Sequence, residues 1–203
     1  LLEKDESMDV ILHRVNTKDA LLKTPKELGV EVDIRSKGNQ LIIHHDPFQD
    51  GENFEDWLEV YKHGTLILNV KEEGLEERLI GLMSQYNIDD YFFLDQSFPF
   101  LIKTSNINEK RCAVRVSEFE SIDTAITLAN KVDWIWVDCF THFPLTAYQV
   151  EKLQTEFKFK LCFVSPELQG RADIEHVKRF IQKIKFLDIK GDAVCTKYPE
   201  LWV

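Results

Sequence analysis

The sequence predicts a single-domain α/β protein built as a (β/α)8 barrel, and three observations carry that expectation. Short β-branched or aromatic runs alternate with longer segments of helical spacing. Eight such runs occur, near 10–14, 30–36, 66–72, 91–96, 112–117, 134–139, 160–165 and 192–196, and seven segments between them can hold helices. Strand-then-helix repetition implies parallel strands, because a crossover helix returns the chain to the same edge of the sheet. A doubly wound open sheet is the rival: 203 residues is short against the roughly 250 usual for a barrel. The absence of GxGxxG after the first strand weakens the dinucleotide-binding form of that rival.

The elements follow in order. "DVILHR" (9–14) reads as the first strand, and "TKDALLKTPKELG" as a helix stopped by Gly29. "VEVDIRS", the turn signal "KGN" and "QLIIHHD" read as a strand, a tight turn and a short antiparallel return. "FEDWLEVYKHG" reads as a helix ended by Gly64, "TLILNVKEE" as a strand and "LEERLIGLMSQYN" as an amphipathic helix. The same alternation then runs through "YFFLDQS", "CAVRVSE", "WIWVDCF" and "KLCFVSP" to a closing strand in "AVCTKYPELWV". No linker or low-complexity segment interrupts 9–203, which is expected to be one domain. Residues 1–8 are expected to be a tail, either an added remnant or a linker to a fused or partner domain.

Composition narrows the function classes. A formal net charge of −10 argues against nucleic acid as a partner, since no basic stretch is long enough to offset it. There is no run of 18 apolar residues, so a transmembrane segment is not expected. The opening lacks the basic start and apolar core of a secretory signal. Cys112, Cys139, Cys162 and Cys195 form no CxxC pair and sit in apolar runs, so buried reduced thiols and a cytoplasmic location are expected.

In a barrel, chemistry gathers at the C-terminal ends of the strands. His13-Arg14, Glu31 and Asp33, His44-His45-Asp46, Asn69 and Lys71, and Asp95-Gln96 fall there. Glu31 and Asp33 are two apart and share a strand face, as do Asn69 and Lys71. Paired carboxylates need a cation, a proton or a basic side chain to coexist. Converging oxygen donors suit a hard ion such as Mg²⁺ or Ca²⁺. Histidines nearby suit acid–base work near neutral pH. Arg14 and Lys71 suit a phosphate.

Taken together, "HRVN", "GVEVDIRSKGNQLIIHHDP", "LNVK" and "DAVCTKYPELW" resemble the glycerophosphodiester phosphodiesterase family. The resemblance covers the whole chain, most strongly in residues 10–48, and implies a barrel of the phospholipase-C-like phosphodiesterase type. It implies His13 and His45 as the catalytic acid–base pair, with His44 a neighbour. It implies Glu31, Asp33 and Asn69 around a divalent cation, Mg²⁺ or Ca²⁺, and Arg14 and Lys71 on the phosphate. The implied reaction is cation-assisted attack on phosphorus, often by the substrate's own adjacent hydroxyl.

The chain departs from the family pattern in three places. Asn69 stands where an acidic third ligand is expected, which weakens cation binding; Glu73 or Asp95 are candidate substitutes. Only 24 residues separate Asp46 from Lys71, so an insertion that covers the substrate in many members is missing. Val15 stands in place of a glycine, with Asn16 retained. These departures leave two alternatives: a catalytically degenerate barrel that binds a phosphorylated ligand or partner domain, and a metal-free route through a cyclic phosphate.

Overall fold

The computed structural model describes residues 8–202 apart from 172. The tail expected at 1–8 lies outside the described residues save for Met8. Two compact units emerge, one from Ile11 to Ala113, the other from Val114 onward with Val10 and Asp9. Both alternate strands and helices, as the sequence predicts.

The first unit takes in the end of β1 (Asp9–Leu12), then α1 (Lys18–Lys23), β2 (Gly29–Lys37), β3 (Gln40–Ile43), β4 (Glu52–Asn53), α2 (Phe54–Leu58), β5 (Leu66–Val70), α3 (Glu76–Gln85), β6 (Tyr91–Leu94) and α4 (Phe98–Asn106). β2 is the axis of its sheet. It pairs in parallel with β1 (Leu12 beside Val30) and with β5 (Asp33 beside Asn69), and β5 pairs in parallel with β6. Every residue of β5, "LILNV", is buried, as expected of a parallel strand covered on both faces, and Asn69 is its one polar member. The far half of β2 pairs antiparallel with β3 across a turn at Gly38, whose φ of 61° favours glycine. This is the return arm read from "KGN".

Two helix boundaries differ from expectation. α1 ends at Lys23, not at Gly29, because Thr24 precedes Pro25 and is held extended. Gly29 instead opens β2, where a Cβ would stand 2.6 Å from the Thr65 carbonyl oxygen. α2 ends at Leu58; the chain turns before Gly64, whose carbonyl accepts from the Tyr61 hydroxyl.

The second unit contains β7 (Ala113–Val116, from Val114), α5 (Ile122–Thr127), β8 (Trp134–Val137), α6 (Ala147–Thr155), β9 (Lys160–Val164), α7 (Ile174–Phe186) and β10 (Ala193–Thr196). β8, β9 and β10 pair in parallel, and the Asp138 N–H donates to Val116 beyond β8. Thr146 and Gln149 form a capping box at the start of α6. Trp134 and Trp136 are buried packing residues, and Trp202 meets Phe180 edge-on. All four cysteines are buried thiols and none is in a disulfide among the described residues. Among the described residues, no helix is long and apolar enough to cross a membrane.

Candidate active site

The site forms where β1, β2 and β5 end, within the first unit. β1 stops at Leu12, and Arg14 adopts φ 57°, a left-handed conformation uncommon outside glycine and costing about 1 kcal/mol. The turn lets one residue serve two carboxylates. The Arg14 N–H donates to Glu31 Oε2 at 2.7 Å, while its Nε lies 3.7 Å from Asp33 Oδ2. His13 Nε2 is 3.8 Å from the same Glu31 oxygen.

Glu31 and Asp33 are both 0% exposed. Asn16 fixes Asp33 twice: its Nδ2 donates to Asp33 Oδ2 at 2.7 Å, and its Oδ1 accepts the Asp33 N–H at 3.0 Å. Lys71, just past β5, places Nζ 3.3 Å from Asp33 Oδ1 and 3.2 Å from Asp95 Oδ2. The two oxygens of Asp33 therefore face two different cations, Arg14 and Lys71. Asp95 itself holds φ 60°, a second charged residue in the left-handed region.

Asn69 is buried beside Glu31 and donates Nδ2 to Glu31 Oε1 at 2.8 Å. Burial is the main cause of the high Glu31 pKa, about 7; the Asp33 charge adds to it, and the bonds from Asn69 and Arg14 oppose it. Between the ordinary 4.5 and about 7, the folded chain keeps a proton that the unfolded chain has released. Stability therefore falls as pH rises through that window, then levels off. In chelator, Glu31→Gln is expected to match the parent near pH 4.5 and to exceed it by roughly 3 kcal/mol at pH 8. Urea midpoints at the two pH values check this, and a difference that stays constant with pH would refute it.

The His44–Asp46 segment follows β3. Asp46 accepts from His45 Nδ1 at 2.8 Å. A carboxylate only accepts, so the Nδ1 proton is fixed there and Nε2 of the neutral ring stays available as a base. That bond is the chief reason the Asp46 carboxyl sits below its usual range. His44 turns to a local role: its Nδ1 accepts the Asp46 N–H at 3.0 Å. Arg35 anchors the segment, its Nε and NH2 donating to the His45 carbonyl at 3.2 and 2.9 Å. A cavity of about 750 Å³ opens here, lined by Arg14, Asn16, His44, His45, Asp46 and Glu52 among others.

The donor chemistry fits a hard divalent ion. Glu31 and Asp33 supply buried carboxylate oxygens; Asn69 turns Nδ2 toward Glu31, and its Oδ1 is buried with no hydrogen-bond partner among the described residues, while Asp33 Oδ1 lies 3.3 Å from Lys71 Nζ. Among the same residues, no three His, Cys, Asp or Glu side chains gather in a group that could hold a metal ion. Asp95 shares Lys71 with Asp33, its Oδ2 lying 3.2 Å from the same Nζ, and Glu73 lines a second cavity that Lys71 also borders.

Of the residues singled out in the sequence, Glu31, Asp33, Asn69, Arg14, Lys71 and His13 come into mutual contact or near contact. His45 lies on the wall of the cavity that Arg14 also lines. Arg115 and Asp138, which fall at strand ends of the second unit, pair with each other at 2.7 Å. Asn16 has a larger part than its sequence position suggests. Arg35 was legible as the third member of the row Glu31, Asp33, Arg35, since alternate residues share a strand face. Gln96 falls at a strand end that the sequence marks, whereas Ser97 and Glu76, which line a cavity with Lys71, carry no comparable sequence signal.

No family model and no curated protein matches the sequence. Solved structures do. A protein described as a glycerophosphoryl diester phosphodiesterase from Agrobacterium tumefaciens str. C58 superposes with a TM-score of 0.66 at 14% identity, covering 96% of this chain and 95% of that one. A glycerophosphoryl diester phosphodiesterase from Parabacteroides distasonis gives 0.63 at 13% identity, covering 98% of this chain and 86% of that one. A tryptophan synthase α-subunit from Pyrococcus furiosus gives 0.55 at 12% identity, covering 97% and 90%. The chain shares one α/β fold with all three, and that fold hosts more than one chemistry.

Proposed function

We propose that this protein is a phosphoric diester hydrolase acting on a glycerophosphodiester-like substrate. The observation that carries the reading is Asp33, buried, with Arg14 on one carboxylate oxygen and Lys71 on the other, beside Glu31 and His13. Two cations held this close, with a cavity and a carboxylate-oriented histidine alongside, suit a phosphate more than any neutral ligand. The likeness to the phosphodiesterase structures supports the same choice over the synthase.

In this reading 9–203 is one (β/α)8 barrel with a tail at 1–8. Arg14 and Lys71 bind the phosphate oxygens. His13 and His45 divide acid and base: one takes the proton of the attacking hydroxyl or water, and the other protonates the departing alcohol as the ester P–O bond breaks. Glu31, Asp33 and Asn69 would hold Mg²⁺ or Ca²⁺, which when bound supplies charge stabilisation at phosphorus. The Asn16 bonds keep Asp33 aimed at the two cations. Four buried thiols suit a reducing, cytoplasmic setting, and the acidic net charge disfavours nucleic acid.

Release of alcohol from a panel of glycerophosphodiesters, with Mg²⁺, Ca²⁺ or Mn²⁺ and with a chelator, tests the reading. Metal-dependent release is expected. Release that survives the chelator would favour the cyclic-phosphate route without metal. Silence throughout would favour the second reading, a barrel that binds a phosphorylated ligand without turnover, for which the amide of Asn69 is the specific argument.

A further inference from the structure

A second cavity, of about 220 Å³, borders Lys71 and is lined by Glu72, Glu73, Glu76, Asp95, Gln96 and Ser97 with Val70. Its polar atoms are in an unusual state. Ser97 is the N-cap of α4, the position at which a serine hydroxyl ordinarily accepts from the helix backbone, yet it makes no such bond. Its Oγ is buried with no hydrogen-bond partner among the described residues, and so is Gln96 Oε1. The Gln96 amide nitrogen, by contrast, is fully used, donating to Thr104 Oγ1 at 2.9 Å and to Glu76 Oε1 at 3.2 Å. Its carbonyl oxygen is thereby left as a fixed, buried and unused acceptor beside the cavity. Glu76 is 5% exposed, and its second oxygen takes the Gly74 N–H at 3.0 Å. Apart from Lys71 and Val70, the side chains here offer acceptors, Ser97 a donor as well, and a buried polar atom left without its bond costs about 1–3 kcal/mol.

Lys71 joins this cavity to the phosphate position, since its Nζ reaches both Asp33 and Asp95. The larger cavity lies on the Arg14 side of Asp33. A phosphodiester seated on Asp33's two cations thus has a small acceptor-lined space on one side and a wide one on the other.

We infer that the cavity beside Lys71 receives the smaller alcohol arm of the substrate and selects an alcohol that brings hydrogen-bond donors, with Gln96 and Ser97 as the specificity-determining residues. The inference rests on the phosphodiesterase reading. Either a hydroxyl-bearing or an ammonium-bearing alcohol meets the requirement. A trimethylammonium alcohol carries charge without an N–H donor, and an ethyl arm carries neither.

Four 4-nitrophenyl phosphodiesters differing only in the second, smaller arm separate these cases: glyceryl, 2-aminoethyl, 2-(trimethylammonio)ethyl and ethyl. The glyceryl or the aminoethyl ester, or both, should exceed the other two in kcat/KM by about tenfold or more. Whichever of the two leads identifies the donor as hydroxyl or ammonium. Gln96→Leu and Ser97→Ala should shrink that ratio while turnover of the ethyl ester persists. Ser97→Ala is the safeguard should Gln96→Leu disturb the Thr104 contact. Equal kcat/KM across the four, or a ratio unmoved in a folded Ser97→Ala or Gln96→Leu chain, would overturn the inference. Turnover of the ethyl ester by the parent would still support the phosphodiesterase reading, so the two fail separately.

Discussion

His45→Ala is expected to lower turnover of the best phosphodiester by about 10²–10⁴-fold with the melting temperature nearly unchanged. The side chain is 38% exposed, and its Nδ1 partner is the neighbouring Asp46, also exposed, so no core contact depends on it. His44→Ala is the control: its ring takes a local backbone N–H, and it should cost far less. Steady-state kinetics on both variants, with thermal melts alongside, distinguishes them. If His44→Ala is the inactive variant and His45→Ala retains turnover, the two roles are reversed.

Asp33→Ala is expected to combine the largest loss of activity with the largest loss of stability. The buried carboxylate holds the Asn16 amide and stands between Arg14 and Lys71. Removing it leaves two cations facing each other's field across a buried gap and strands the Asn16 donor. Breaking buried, hydrogen-bonded pairs of this kind costs about 3–5 kcal/mol. Lys71 retains Asp95, and Arg14 is 42% exposed, so the lower end of that range is expected. Urea unfolding and turnover measured on one preparation check both effects. A chain that keeps its midpoint yet loses activity would show that Asp33 serves the ligand without supporting the fold.

Much of this was legible in the sequence because the relevant signals are periodic. The strands show as short apolar runs, and the face shared by Glu31 and Asp33 follows from their spacing of two. What was not legible depends on contacts between residues distant in sequence. The stop of α1 at Lys23 could be read from Thr24-Pro25, yet Gly29 offered a competing signal whose real cause is the approach of Thr65. Asn16 as a two-point clamp on Asp33 depends on a turn that only the Arg14 backbone explains. The unused oxygens of Gln96 and Ser97 depend on how α3 and α4 approach each other, which no local pattern encodes.

The left-handed backbone at Arg14 and at Asp95 has a cost that only glycine escapes. Glycine at either position would relax the backbone and in the same step remove a charge partner, Arg14 from the buried Asp33 or Asp95 from Lys71. The strain relieved is about 1 kcal/mol, less than the loss of a charge partner at a buried carboxylate. The ion pairs therefore hold the chain in a conformation it would otherwise leave, and substitution by glycine is not a route to a more durable protein.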